Sequence, residues 1–265
     1  MTKDSTANEQ RTYFNLLAEI GHTKHIGGVK ATGRLVELIE PRRGGAVLDV
    51  GCGVGIAPVF LAKQFGCRVT GIDITPLMLQ RARERALREG VSELVDFRVA
   101  NMHALPFQDN AFDSAIAESV ITFSHDKVDV LNELARVVRP GGVVAFTEAI
   151  FVQPPPPGKG QFMARAAGMP DGILDNEAWR RILEASDLDE IITEAYSITA
   201  REESKSEAGR IPPSDYLRAV PRSLRVFGKS EYRQVFRRAF SSMPKDLYKY
   251  VGYGVYGGRV TGSAA

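Results

Sequence analysis

Apolar residues recur at helical spacing from Arg11 to about Glu40: Phe14, Leu16, Leu17 and Ile20 form one set, and Leu35, Val36, Leu38 and Ile39 a second. The break between Gly21 and Gly28 predicts two helices joined by a glycine-bearing loop. A short apolar run, Ala46-Val47-Leu48-Asp49-Val50, then opens into Gly51-Cys52-Gly53-Val54-Gly55 and a helical stretch to Phe65, the pattern of strand, tight turn and helix. Further strands are expected at Cys67 to Ile74, Val95 to Val99, Phe112 to Glu118 and Gly142 to Ala149, with helices at Pro76 to Glu89 and Val128 to Val138. This alternation predicts an α/β fold, Rossmann-like and doubly wound, with a mainly parallel sheet covered by helices on both faces.

The pattern changes after Ile150. A stiff Pro154 to Pro157 run leads to a helix expected around Glu177 to Ala185 and a strand around Ile191 to Ile198. Residues 200 to 245 are charged, hold Pro212, Pro213 and Pro221, and predict one or two helices. Tyrosines and valines from Tyr248 to Tyr256 favour a seventh strand. The expected organisation is one structural domain: an N-terminal helical cap over residues 1–40, a core over 41–150, and the rest of the sheet over 151–265. A helical insertion around 200–245 precedes the last strand and is expected to form a lid over a substrate. The first ten residues are polar and read as a frayed arm without the apolar stretch of a secretory signal.

Composition narrows the function classes. Of 265 residues, 44% are hydrophobic and 25% charged, a globular average that excludes a wholly disordered chain. Thirty-four Lys and Arg against 32 Asp and Glu leave +2, which gives no case for nucleic-acid binding through bulk charge. Two cysteines, Cys52 and Cys67, make neither a disulfide scaffold nor a paired zinc motif, and a reducing cytoplasm is the expected compartment. No stretch approaches the roughly 20 apolar residues of a membrane span. His22-x-x-His25 has no acidic or cysteine cluster beside it, so no metal site is expected. Arg81, Arg83, Arg85 and Arg88 read as the solvated face of a helix, with no aromatic platform for RNA.

The chemistry centres on Gly51 to Gly55. Alternating glycines let the chain turn sharply and let a ligand approach the backbone, while the following helix offers free N–H donors. Asp73, 22 residues after Gly51 at the end of the second strand, can accept hydrogen bonds from both hydroxyls of a ribose. Those two elements suit a nicotinamide-binding domain as well as a nucleoside-binding relative. The turn, however, is Gly-x-Gly-x-Gly, and Asp49 in front of it would repel a pyrophosphate but suits a cationic amino group.

With that context the chain strongly resembles the class I S-adenosylmethionine (SAM) dependent methyltransferases. Asp49 to Gly55 is similar to their first motif and Gly71 to Leu79 to their second. Asn101 to Phe107 with Phe112-Asp113 is similar to their third-strand region, and Arg139-Pro140-Gly141-Gly142 completes the set. The likeness covers roughly residues 25 to 150. His25-Ile26-Gly27-Gly28 and Glu118-Ser119 resemble the small-molecule branch that methylates quinones, sterols, tocopherols and sugar-bearing natural products.

The resemblance implies that Gly51, Cys52 and Gly53 lie at the methionine part of SAM with Asp49, that Asp73 holds the ribose, and that Ile74 and Met78 pack on the adenine. Met102 would offer a backbone N–H to that ring. Asn101, where the family usually has Asp, would accept from the adenine amino group with a carbonyl instead of a charge. His25, Gly27, Gly28 and Glu118 would stand near the methionine end, with the glycine amides on its carboxylate. The implied activity is methyl transfer from SAM, leaving S-adenosylhomocysteine, to O, N or C of a small-molecule acceptor; the alternative is a catalytically silent SAM-binding regulatory or partner subunit. Where the acceptor must lose a proton, His25, Glu118 and His125 are the candidate catalytic residues, with His22 and His103 as further bases. The small number of cysteines argues against an arsenite methyltransferase, which relies on several thiols.

Overall fold

A computed structural model describes residues 3–20, 25–157, 160, 169–203, 213–240 and 246–261. Helices α1 (Lys3–Ile20) and α2 (Gly28–Ile39) lead into β1 (Ala46–Val50), α3 (Ile56–Phe65), β2 (Arg68–Asp73), α4 (Pro76–Glu89) and β3 (Val95–Val99). Then come β4 (Phe112–Glu118), a short 3-10 helix (Ile121–Phe123), α5 (Lys127–Val137), β5 (Val138–Phe151), α6 (Asn176–Glu184) and β6 (Leu188–Tyr196). The insertion supplies α7 (Pro213–Phe227) and α8 (Ser230–Phe240). A helical turn, α9 (Leu247–Tyr250), precedes β7 (Val251–Val260).

The seven strands form one sheet in the order β3-β2-β1-β4-β5-β7-β6, parallel except for β7, which runs antiparallel to both neighbours. The order reverses at β1, so the carboxyl ends of β1, β2 and β4 flank the crevice where such sheets bind ligands. The middle strands are mainly apolar because both faces are covered: Leu48, Val50, Ala115, Val144 and Phe146 pack under α5 and α6, and Val47, Val69, Ile116 and Ala145 under α2, α3 and α4. The rings of Phe146, Trp179 and Tyr256 pack with centroids 5.2 to 5.7 Å apart beneath α6.

Four expectations change. The polar start is helical from Lys3 onward instead of a frayed arm, because Leu16, Leu17 and Ala18 are buried and anchor α1. Tyr248 to Tyr250 belong to the α9 turn, so the last strand starts three residues later than the tyrosine pattern suggested. The fifth strand starts at Val138, ahead of the Pro140-Gly141-Gly142 turn, and its pairing with β4 shifts register between Phe112 and Ser114. The arginines of α4 form a solvated face only in part: Arg83 and Arg88 are exposed, but Arg81 and Arg85 turn inward. Arg85 is buried and its Nε donates to the Val54 carbonyl at 3.0 Å, and Arg81 reaches Glu19 of α1 at 2.9 Å. His22 and part of the expected lid lie outside the described residues.

Candidate active site

The glycine turn is fixed from beneath. Gly51, Gly53 and Gly55 all have positive φ, between 52° and 77°. A Cβ on Gly51 would lie 2.5 Å from Val120 Cγ2, so the turn needs glycine for its conformation and for its contact with the chain after β4. Asp73 ties the turn to β2: Oδ2 accepts from Gly53 N at 3.1 Å and Oδ1 from Thr75 N at 2.8 Å. Burial pushes its carboxyl up, against the pull of these donors. Each oxygen keeps acceptor capacity for a hydroxyl donor.

The Cys52 side chain points down, with its Sγ against the face of Gly71, and burial pushes the thiol up, so it stays protonated. Only its backbone can face a ligand. Asp49, 2% exposed, sits at the end of β1 on the α2 side.

Beside Asp73, Ile74 is 63% exposed at the strand tip. A large apolar side chain left open next to a carboxylate, in a strand-end crevice, is what a ribose and its flat base would occupy, and on this observation the residues present fit SAM. Met78, on the first turn of α4, is 3% exposed and packed with Leu17, Ala18 and Val54, where α1 closes over the glycine turn. Asn101 is exposed; its Oδ1 accepts from His103 N at 3.1 Å, forming the turn after β3, and Met102 packs partly against the core. His103 is exposed on that turn.

His25 and Glu118 come together from opposite ends of the core. His25, 4% exposed, places Nε2 2.7 Å from Glu118 Oε2, and Thr32 Oγ1 of α2 donates to Glu118 Oε1 at 3.0 Å. The next residue, Ser119, has φ 54°, a left-handed conformation rare outside glycine, held by its N–H to the Thr147 carbonyl at 2.7 Å. Gly27, at φ 95°, lies so close to Tyr253 and Ala31 that a Cβ would approach both within 3 Å. Its N–H donates to Glu203 Oε2 at 3.1 Å, so a protein carboxylate already takes one of the two glycine amides expected at the methionine end.

His125 is held apart from this pair. Its ring is 73% exposed, and Nδ1 lies 3.0 Å from Asp171 Oδ1, not from the neighbouring Asp126. Lys127, itself buried, also binds Asp171. Burial raises the Asp171 carboxyl, but Lys127 and His125 outweigh it and hold it below the usual range.

Sequence reasoning missed Asp171, Thr32, Glu203 and Glu148. Glu148 on β5 is 1% exposed, accepts from Thr122 N at 3.1 Å, and is pushed up to about 8 by burial. Its sequence signal is a charge within the mainly apolar run from Val143 to Phe151.

Residues 48–146 match the methyltransferase domain family. The methyltransferase GfsG of Streptomyces halstedii is 37% identical over 123 residues, 46% of this chain; the match spans 44% of that relative, so the chain covers less than half its length. Two solved structures share the fold. The [4+2]-cyclase SpnF superposes with a TM-score of 0.73 at 21% identity, covering 95% of this chain and 94% of that one. A SAM-dependent methyltransferase from Geobacter sulfurreducens in complex with S-adenosylhomocysteine gives 0.66 at 20%, covering 92% and 96%. Residues 48–146 are thus similar to a methyltransferase domain, and the seven-stranded sheet has the fold of these class I methyltransferase-like structures.

Proposed function

We propose that the protein transfers a methyl group from SAM to an O, N or C atom of a small-molecule acceptor. The observation that carries this reading is Asp73, fixed by Gly53 and Thr75 at the tip of β2 with Ile74 open beside it. When bound, SAM supplies a methyl already activated on a sulfonium, so the protein's task is alignment and exclusion of water.

In this reading Asp73 accepts the ribose hydroxyls, Ile74 covers the adenine and the turn after β3 borders it. Asp49 and the backbone of Gly51 to Gly53 face the methionine part. The buried His25–Glu118 pair, braced by Thr32, closes that end, with Gly28 as the glycine amide beside it. Helix α1 shuts the turn from above through Leu17 and Ala18, and α7 and α8 lie against α1, in support of a lid over the acceptor.

Where the acceptor must lose a proton, His125 has the geometry of a base: an exposed ring whose Nδ1 is oriented by Asp171, leaving Nε2 outward. The test is a screen of acceptors followed by release of S-adenosylhomocysteine. Release with one acceptor class that Asp73→Ala abolishes supports the proposal. SAM binding with no release across alcohols, phenols, amines and carbon acids supports a silent SAM-binding subunit instead.

A further inference from the structure

The insertion carries a feature that the transfer reaction does not use. Helix α7 turns Val226, 3% exposed, inward, while Leu217, Val220 and Leu224 stand 74%, 52% and 72% exposed. Their spacing of three and four puts them on one stripe, opposite Val226, with exposed Pro221 in the same row. Phe236 of α8 is 38% exposed. A row of large apolar side chains facing water marks an interaction surface.

Charge is concentrated in the same place. Residues 213–240 contain seven Lys and Arg against Asp215 and Glu231, while the whole chain is only +2, so the remainder carries a slight acidic excess. Arg225 is exposed next to Leu224, and exposed Lys229 and Arg233 follow at the α7–α8 junction. Arg233 caps the end of α7 through the Phe227 and Gly228 carbonyls, at 2.7 and 2.8 Å, which holds the two helices as one corner.

We infer that the outer face of α7, with the α7–α8 corner, docks on an anionic lipid bilayer. Leucines and valine would enter the acyl boundary while the basic residues meet phosphate headgroups, as for helices that lie in the plane of an interface. The face is the convex side of a helix. A fluid bilayer accepts a convex apolar ridge without a matching groove, and the basic excess selects a negatively charged surface. This inference does not depend on SAM or on methyl transfer.

The test is flotation of the full chain with vesicles of phosphatidylcholine alone or containing a third phosphatidylglycerol, without SAM. The expected result is binding to the anionic vesicles only, weakened as salt rises and screening shortens. The double variant Leu217→Gln/Leu224→Gln should bind roughly tenfold or more weakly, since each leucine loses its apolar transfer. Arg225→Glu should weaken binding several-fold and leave the thermal midpoint unchanged, because the side chain is exposed.

No flotation with anionic vesicles at low salt overturns the inference, as does undiminished binding by the double leucine variant. A wild-type dimer that the leucine variant converts to a monomer overturns it too, by assigning the stripe to a second copy of this chain.

Discussion

Glu148 makes stability depend on pH in a way no surface carboxylate would. Its carboxyl lies on β5 with Oε1 accepting from Thr122 N, and the backbone of Val120 and Ile121, Lys127 of α5 and Tyr256 of β7 face it. Burial raises it from 4.5 to about 8. Below 4.5 the group is protonated in both folded and unfolded chains. Between 4.5 and about 8 the unfolded chain gives up the proton while the folded protein keeps it, so stability is lost as pH rises through that window.

At about 1.4 kcal/mol per pH unit the interval sets a ceiling on the order of 5 kcal/mol; water penetration and relaxation reduce it to roughly 2 to 3. Glu148→Gln keeps an acceptor for Thr122 N and cannot ionise. Urea unfolding of both proteins at pH 5 and pH 9 gives the answer as a double difference: the variant should gain roughly 2 to 3 kcal/mol on the parent between the two pH values. A parent and variant whose stabilities change in parallel would refute the reasoning.

Two further predictions follow from the site. Gly51→Ala forces a Cβ into Val120 at a residue with φ 69°; it should cost roughly 1 to 3 kcal/mol in denaturant melts and weaken SAM binding, and unchanged melting would count against the packed turn. If a proton must leave the acceptor, His125→Ala should lower kcat roughly 100-fold or more with SAM affinity unchanged, and Asp171→Asn, which loosens the ring, should lower kcat by less. Equal rates for parent and His125→Ala would remove His125 from the reaction.

The core was legible because its middle strands are buried on both faces and read as mainly apolar runs separated by stretches of helical spacing. Strands β3 and β4 and helix α4 occupy Val95–Val99, Phe112–Glu118 and Pro76–Glu89, the spans the pattern predicts. The ends were less legible where a residue type suits two states. Tyr248 and Tyr250 favour strands by propensity, yet the chain needs a turn before running antiparallel to β5.

Pairings made only by the fold were not legible at all. His125 meets Asp171 across 46 residues and Gly27 meets Glu203 across 176. The burial of Arg85 depends on the Val54 carbonyl, a backbone group with no sequence signature. By contrast, His25 and Glu118 were legible as motif positions, and the structure sets them 2.7 Å apart.

The central claim is a nucleoside site at the tips of β1 and β2, anchored by Asp73. Calorimetric titration of the parent and of Asp73→Ala with SAM and with S-adenosylhomocysteine tests it most directly. The expected result is one-to-one binding of both ligands by the parent and a loss of tenfold or more in affinity with Asp73→Ala, the scale of hydrogen bonds to a charged group. Parent protein that binds neither ligand, or a variant that binds both as tightly as the parent, would contradict it.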